Sequence, residues 1–319
     1  MITTYDFREK AKLIKKIKVV SVSDDNYSQH LGVMLYSLFK NHLSDEKLEV
    51  SIIDGGISPG NKLKIEGIGK EFNILITFLK IDKKIYQNFK IGHHVNHSTY
   101  YRISIPELLD NSIKKVIFLD CDLIFKKDIS RLWEIDISEH FIAAVEAPKF
   151  NRQISLKMPA NSKYFNSGVM LINLEKWRQY NISSQVLKFI ENNLDKIILW
   201  DQDALNAILH DRWKELSPKW NQQTIMFEID INDTNYNKGE FMEAIINPSI
   251  IHYTTSSKPW HYMNEHPFKN EYYKYLKKTP WRKYIPIDRN FINILKRIAK
   301  KLLPKKIIDF LRRIKNSLQ

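Results

Sequence analysis

The stretch VIFLDCDLIF, residues 116–125, decides how the chain is read. An apolar run meets two carboxylates separated by one residue, and apolar residues then resume. Aspartate is rarely placed inside such a run unless it is paired or binds a metal. A spacing of two points Asp120 and Asp122 the same way in an extended chain. At a strand end, either can reach a shared divalent cation. Read alone, the same residues also fit a turn between two hairpin strands, with the aspartates bonded to backbone.

On the N-terminal side of this stretch, β-branched apolar runs alternate with helical spacing. Residues 17–23 (IKVVSVS), 48–53, 73–79 and 115–119 read as strands. Residues 28–41, 61–70 and 98–109 read as helices, the last with Ser98 as N-cap. Strand alternating with helix implies an α/β fold built on a parallel sheet. Ligands of such sheets sit at the carboxyl ends of the strands. That rule selects Asp24, Asp25 and Asn26 after the first strand, and Asp120, Cys121 and Asp122 after the fourth. The C-terminal side is less regular. Residues 141–145, 165–173 and 250–253 read as strands, and 184–194 and 201–210 as helices. No repeat or low-complexity linker interrupts the chain, which predicts one continuous domain ending near residue 285.

A third ligand is offered by IIHYTTSSKPW, residues 250–260, where His252 follows an apolar pair. Two carboxylates and an imidazole, with open positions for phosphate oxygens, suit Mn²⁺ or Mg²⁺, and the imidazole favours Mn²⁺. The competing reading of His252 is a core histidine with a hydrogen bond. Lys258 could hold a phosphate as a point charge. The chain has only nine glycines and no GxGxxG or GxxxxGK[ST] loop. Phosphate binding would therefore fall to metal and lysine. This favours a nucleotide-sugar or nucleotidyl enzyme over a P-loop kinase or a nicotinamide dehydrogenase.

The 319 residues are 43% hydrophobic, enough for a real core. Fifty basic against 36 acidic residues give a net charge of +14. Residues 289–319 hold ten basic residues and one acidic residue, so +9 lies there and +5 in the remainder. A DNA-binding domain more often spreads its charge over the folded surface, and the body outside the tail carries only +5, so no nucleic-acid partner is expected. Within the tail, Phe291, Ile294, Leu295, Ile298 and Leu302 are at helical spacing. The pattern resumes after Pro304 with Ile307, Ile308, Leu311, Ile314 and Leu318. A basic amphipathic tail of this kind suits an anionic membrane surface; the competing reading is a helix docked on the body. A single cysteine, Cys121, makes no internal disulfide or cysteine-based zinc site. The N-terminus shows no signal-peptide pattern, and no run approaches ~18 apolar residues. The expected location is cytoplasmic, peripheral on the inner face of the cell membrane.

Five blocks occur in a characteristic order. They are SVSDDNY (21–27), STYYRISIPELL (98–109), VIFLDCDLIF (116–125), YFNSGVMLINLEKW (164–177), and WDQDALNAI (200–208) with HYTTSSKPWH (252–261). Together they resemble family 8 glycosyltransferases, which include bacterial lipopolysaccharide galactosyl- and glucosyltransferases and the glycogenins. The resemblance covers roughly residues 17–285. It implies a GT-A nucleotide-diphosphosugar fold, an open and mainly parallel sheet flanked by helices with its DxD at the centre. It also implies a UDP-sugar donor, usually with Mn²⁺, and retention of the anomeric configuration. Carried over residue by residue, Asp120, Asp122 and His252 match the metal ligands. Asp24, Asn26 and Tyr27 match positions that hold uracil and ribose, Arg102 an arginine near the donor, and Lys258 a diphosphate contact. Asn166 matches an asparagine facing the sugar, and Asp201 and Gln202 the pair against the transferred hexose. One departure is Thr255, which stands where the family often has glycine. The chain is thus divided into a basic extension (1–16), a catalytic domain (17–285) and an amphipathic membrane-associating tail (286–319). The expected activity is transfer of galactose or glucose from a UDP-sugar to a glycan or glycolipid acceptor. The alternative is a catalytically silent nucleotide-sugar-binding or membrane-tethered protein of the same fold.

Overall fold

The computed structural model describes residues 16–92 and 96–302. The strands are β1 (Lys16–Ser23), β2 (Lys47–Asp54), β3 (Leu75–Leu79), β4 (Lys115–Leu119), β5 (Leu123–Phe125), β6 (Ile142–Glu146), β7 (Phe165–Asn173), β8 (Trp213–Glu215), β9 (Gln222–Gln223) and β10 (Ile250–His252). Seven of them form the main sheet, in the order β3-β2-β1-β4-β7-β6-β8. The other three form a small sheet, β5-β10-β9. Strands β1 to β4 pair in parallel, as the alternating pattern predicts. Strand β7 enters antiparallel to both β4 and β6.

Period-two alternation explains the two cores. Val19, Ile117 and Leu119 face one side of the sheet, where the helix Ser28–Asn41 packs. Val20, Val116 and Phe118 face the other, where Tyr100, Trp177 and Leu205 pack. Strand order runs outward from β1 to β3, then restarts on the other side of β1 with β4. The carboxyl ends of β1 and β4 therefore flank the switch point, where ligands of open α/β sheets bind. Strand β4 lies fourth of seven, which puts Asp120 and Asp122 at the centre of the sheet.

Two local predictions change. The segment predicted as one helix over 98–109 is a 3₁₀ helix, His97–Ser104, followed by one α-turn, Ile105–Leu108. Its cap is Asn96, whose side chain accepts from the Ser98 N–H at 2.9 Å; Ser98 is not the cap. Pro106 has no N–H to continue an α-helical ladder through this point. The strand predicted from Asn73 begins at Leu75 because Asn73 adopts a left-handed φ of 56°.

The aromatic segment after residue 266 packs on the core. Tyr272 and Tyr275, on the helix Lys269–Leu276, bond to His30 and Asn41 of the first helix. The Trp281 ring covers Gly32, where a Cβ would lie 2.4 Å from it. The tail begins with the helix Phe291–Leu302. It contacts the body through its polar edge. Arg297 donates to the Tyr262 carbonyl and Lys300 pairs with Glu265, while Asn293 donates to the Asp288 carbonyl within the tail itself. Phe291, Leu295, Ile298 and Leu302 form a stripe on the exposed side. Pro304, the second tail segment and residues 1–15 lie outside the described residues. Among the described residues, no helix is long and apolar enough to cross a membrane.

Candidate active site

The chain leaves the main sheet at Leu119 and enters the small sheet at Leu123. The DCD segment is therefore a crossing between sheets. The hairpin reading fails because β4 and β5 never pair. Strand β5 runs antiparallel to β10 with Leu123 opposite His252, which brings the imidazole beside Asp122. The Asp120 N–H donates to the Gly168 carbonyl at 2.8 Å and fixes the other end of the crossing.

The outer carboxylate oxygens are taken by cations. Arg102 Nη2 is 2.8 Å from Asp120 Oδ1, and Lys258 Nζ is 2.6 Å from Asp122 Oδ2. The inner oxygens face the imidazole. His252 Nε2 lies 3.8 Å from Asp120 Oδ2 and 3.2 Å from Asp122 Oδ1. One ligand atom from each of the three residues lies within 4.8 Å of the other two, so together they could hold a metal ion. Two inward oxygens and one nitrogen fit a divalent first-row cation with positions left for phosphate oxygens. Burial alone would raise the Asp122 pKa; Lys258 and His252 hold it well below the usual carboxylate range.

At the end of β1, Asp24 Oδ1 accepts from the Tyr27 N–H at 3.0 Å and Oδ2 from Asn96 Nδ2 at 2.5 Å. These bonds fix the turn into the first helix. Tyr27 stands edge-on to Trp260, with ring centroids 6.0 Å apart. Trp260 in turn stacks on His30 at 3.5 Å. This seats the KPW segment, and with it Lys258, against the first helix. Asp25 is exposed and accepts from the Ser58 N–H and Asn61 Nδ2, so it serves a neighbouring turn.

The 3₁₀ conformation of His97–Ser104 is itself informative. Residues three apart eclipse in such a helix, which brings Thr99 and Arg102 onto one side. Thr99 donates to Asp201 Oδ1 at 2.9 Å. Arg102 Nε is 3.0 Å from Asp201 Oδ2, and Nη1 donates to the Ser167 carbonyl at 2.8 Å. Arg102 thus ties β4, β7 and the helix Trp200–Leu209 together. Burial pushes the Asp201 pKa up to about 6, with Arg102 opposing the rise and Asp120 adding to it. Gln202 Oε1 accepts from the Ser167 N–H and from Asn166 Nδ2, both at 3.0 Å. Trp200 takes a left-handed φ of 50°. The preceding turn is held by buried Asp203, which accepts from the N–H groups of Ile198 and Leu199 and from Arg152.

These walls enclose a cleft of about 650 Å³. Asp24, Tyr27, Arg102, Asp120, Asp122, Asn166, Asp201, Gln202, His252 and Lys258 all line it. Asn26 is exposed outside that lining. Thr255 lies on the rim, its hydroxyl donating to the Ser257 carbonyl. Thr99, Asn96 and Gly168 also build the site, and sequence reading singled out none of them. For Gly168 a signal existed: it is the one residue without a side chain in the strand FNSGVMLIN. A Cβ there would lie 2.3 Å from His252 Cε1 and 2.6 Å from Asp120 Oδ2.

The cleft thus lies at the switch point of the sheet, with an aspartate pair and a histidine converging in it. Residues 18–264 match the family described as Glycosyl transferase family 8, and the chain belongs to that family. It is 42% identical over 268 residues to General stress protein A of Bacillus subtilis (strain 168), covering 82% of this chain and 94% of that protein. It is 28% identical over 288 residues to Lipopolysaccharide 1,2-glucosyltransferase of Escherichia coli (strain K12), covering 88% and 83%. The galactosyltransferase LgtC, solved with donor and acceptor sugar analogues, superposes with a TM-score of 0.75 at 22% identity, covering 85% of this chain and 98% of that one. That likeness shows the GT-A-like fold. By family and fold the protein is a glycosyltransferase.

Proposed function

We propose that the protein is a retaining, metal-dependent hexosyltransferase that moves galactose or glucose from a UDP-sugar to a glycan or glycolipid acceptor. The acceptor belongs to a cell-surface or lipopolysaccharide-type glycan, as the names of the relatives suggest. One observation carries this reading. Asp120, Asp122 and His252 converge at the sheet's switch point inside the cleft of about 650 Å³.

Asp120, Asp122 and His252 would hold the ion, with Mn²⁺ favoured over Mg²⁺ by the imidazole. A divalent ion supplies Lewis-acid stabilisation of the departing diphosphate when bound. Lys258 adds a fixed positive charge to the same group. Asp24 and Tyr27 form the wall for the uracil and ribose, with Asn26 exposed beyond it. Arg102 neutralises Asp120 and Asp201 and holds both in place. Asn166, Asp201 and Gln202 position the hexose. Attack comes from the leaving-group side, with a leaving phosphate oxygen as the base. Two features support positioning over nucleophilic roles. Asp201 is only 2% exposed, and both its oxygens are engaged by Thr99 and Arg102. Gln202 is an amide and a poor nucleophile.

Residues 17–285 form the catalytic domain, and 286–319 associate with anionic lipid on the inner face of the membrane. The exposed apolar stripe of Phe291, Leu295, Ile298 and Leu302, within a +9 segment, supports this. The test is a panel of UDP-sugars incubated with metal-depleted protein, with and without added Mn²⁺. The expected result is release of UDP from one hexose donor only when Mn²⁺ is present. Turnover indifferent to chelator, or turnover of nucleoside triphosphates and no UDP-sugar, would sink the reading.

A further inference from the structure

Behind the metal-ligand candidates lies a buried chain of side-chain amides. It begins at β7, where the pairing with β6 slips between Ala144 and Val145. The slip leaves the N–H groups of Ser167 and Gly168 to side chains. Gly168 donates to Asn166 Oδ1 at 3.0 Å, and Ser167 donates to Gln202 Oε1 at 3.0 Å. A backbone N–H can only donate, so these two bonds fix which way both amides point. Asn166 Oδ1 also accepts at 2.8 Å from Asn221, which must therefore present Nδ2. The other end of the same amide, Asn221 Oδ1, then faces His252 Nδ1 at 2.8 Å. An oxygen there requires Nδ1 to carry hydrogen. With hydrogen on Nδ1, Nε2 is the nitrogen left to bind a metal, beside Asp120 Oδ2 and Asp122 Oδ1. Asn221 is fully buried, so no water competes for either end of its amide.

We propose that Asn221 is a positioning residue that couples the metal site to the sugar site. It holds hydrogen on His252 Nδ1, and as a second donor to Asn166 Oδ1 it reinforces the inward orientation that the Gly168 N–H sets and that Asn166 passes on to Gln202. Both side chains line the cleft. Asn166 Nδ2 also donates to Gln202 and Gln202 Nε2 to Tyr164, so each amide has one N–H left to meet a hydroxyl lone pair of the donor hexose. The inference rests on the metal-dependent reading proposed above. Metal-bound histidines are generally held by such partners, whose loss weakens metal affinity about 10–100-fold.

Two substitutions separate the two ends of the amide. Asn221→Leu removes both bonds. Asn221→Asp keeps an acceptor for His252 Nδ1–H but sets a second oxygen against Asn166 Oδ1, so only the sugar-side bond is lost. Mn²⁺ affinity is measured on the full chain by electron paramagnetic resonance of free Mn²⁺, and transfer is measured with saturating metal. The expected result is about 10–100-fold weaker Mn²⁺ binding for Asn221→Leu. For Asn221→Asp, Mn²⁺ affinity should hold while turnover falls at least about tenfold. A third measurement needs no substitution in the relay. In ¹⁵N-histidine-labelled wild type, with and without Mg²⁺, the His252 signal, assigned by its absence in His252→Gln, should show hydrogen on Nδ1. An Nε2–H tautomer overturns the proposal. So does a folded Asn221→Leu variant that binds Mn²⁺ like wild type, or an Asn221→Asp variant with wild-type turnover. Wild type that binds no Mn²⁺ overturns the metal reading itself and the coupling with it.

Discussion

Gly168→Ala probes the site with a single methyl group. Gly168 lies in β7, and its φ is outside the left-handed region, so alanine meets no backbone penalty there. The added Cβ would stand 2.3 Å from His252 Cε1 and 2.6 Å from Asp120 Oδ2, where ordinary contact begins at 3.4 Å. The imidazole must retreat by about 1.1 Å and the carboxylate oxygen by about 0.8 Å, or the strand must shift. Both displaced groups are proposed metal ligands. A misplacement of about 1 Å costs on the order of 100-fold in rate, and overpacking costs about 1–3 kcal/mol of stability. The assay pairs Mn²⁺ titration calorimetry with UDP-sugar turnover. Gly67→Ala serves as control, since nothing lies within 4 Å of its Cβ. The expected result is a variant that stays folded, binds Mn²⁺ more weakly and loses about 100-fold in turnover. Wild-type metal affinity and turnover in Gly168→Ala would refute the reasoning.

Two further outcomes are expected. Burial pulls the His30 pKa from 6.5 down to about 3. The folded state therefore refuses a proton that the unfolded chain accepts between those values. Its stabilising contribution is complete above pH 6.5 and is lost as pH falls. At about 1.4 kcal/mol per unit, the loss between pH 6.5 and 5 is about 2 kcal/mol. Denaturant unfolding of wild type and of His30→Phe, compared over this range, isolates the effect; a difference that does not change with pH would rule it out. Deleting residues 289–319 should release the protein from anionic vesicles while soluble-acceptor turnover persists, and retained vesicle binding in a flotation assay would show that the tail is not the anchor.

The sequence was informative wherever function depends on local order. The Asp120–Asp122 pair lies on a strand end, His252 follows an apolar pair, and Lys258 lies six residues on; each can be read from neighbours along the chain. What could not be read depends on contacts between distant segments. Whether DCD was a hairpin turn or a crossing depended on β5 pairing with β10, some 125 residues away. The 3₁₀ geometry that aligns Thr99 with Arg102 defeated a periodicity reading, because three-residue and 3.6-residue repeats look alike over eight residues. Asn221 carries no local signal at all. It is one polar residue in the run KWNQQ, and its role arises from meeting His252 and Asn166 across the fold. The same holds for the tail. Helical spacing revealed its amphipathic character, but not that Arg297 and Lys300 would face the body and leave the apolar stripe outward.

In the proposed function, Asp120, Asp122 and His252 hold a divalent ion through which this chain engages the diphosphate of its donor. Thermal unfolding of the full chain with UDP, Mn²⁺, both or neither tests it most directly. Binding to the folded state raises stability by linkage, by about 2.7 kcal/mol at a ligand concentration 100 times Kd. The account predicts a clear rise in melting temperature with UDP and Mn²⁺ together, little with UDP alone, and no joint effect in Asp122→Ala. An equal rise with UDP in the presence of chelator would contradict it.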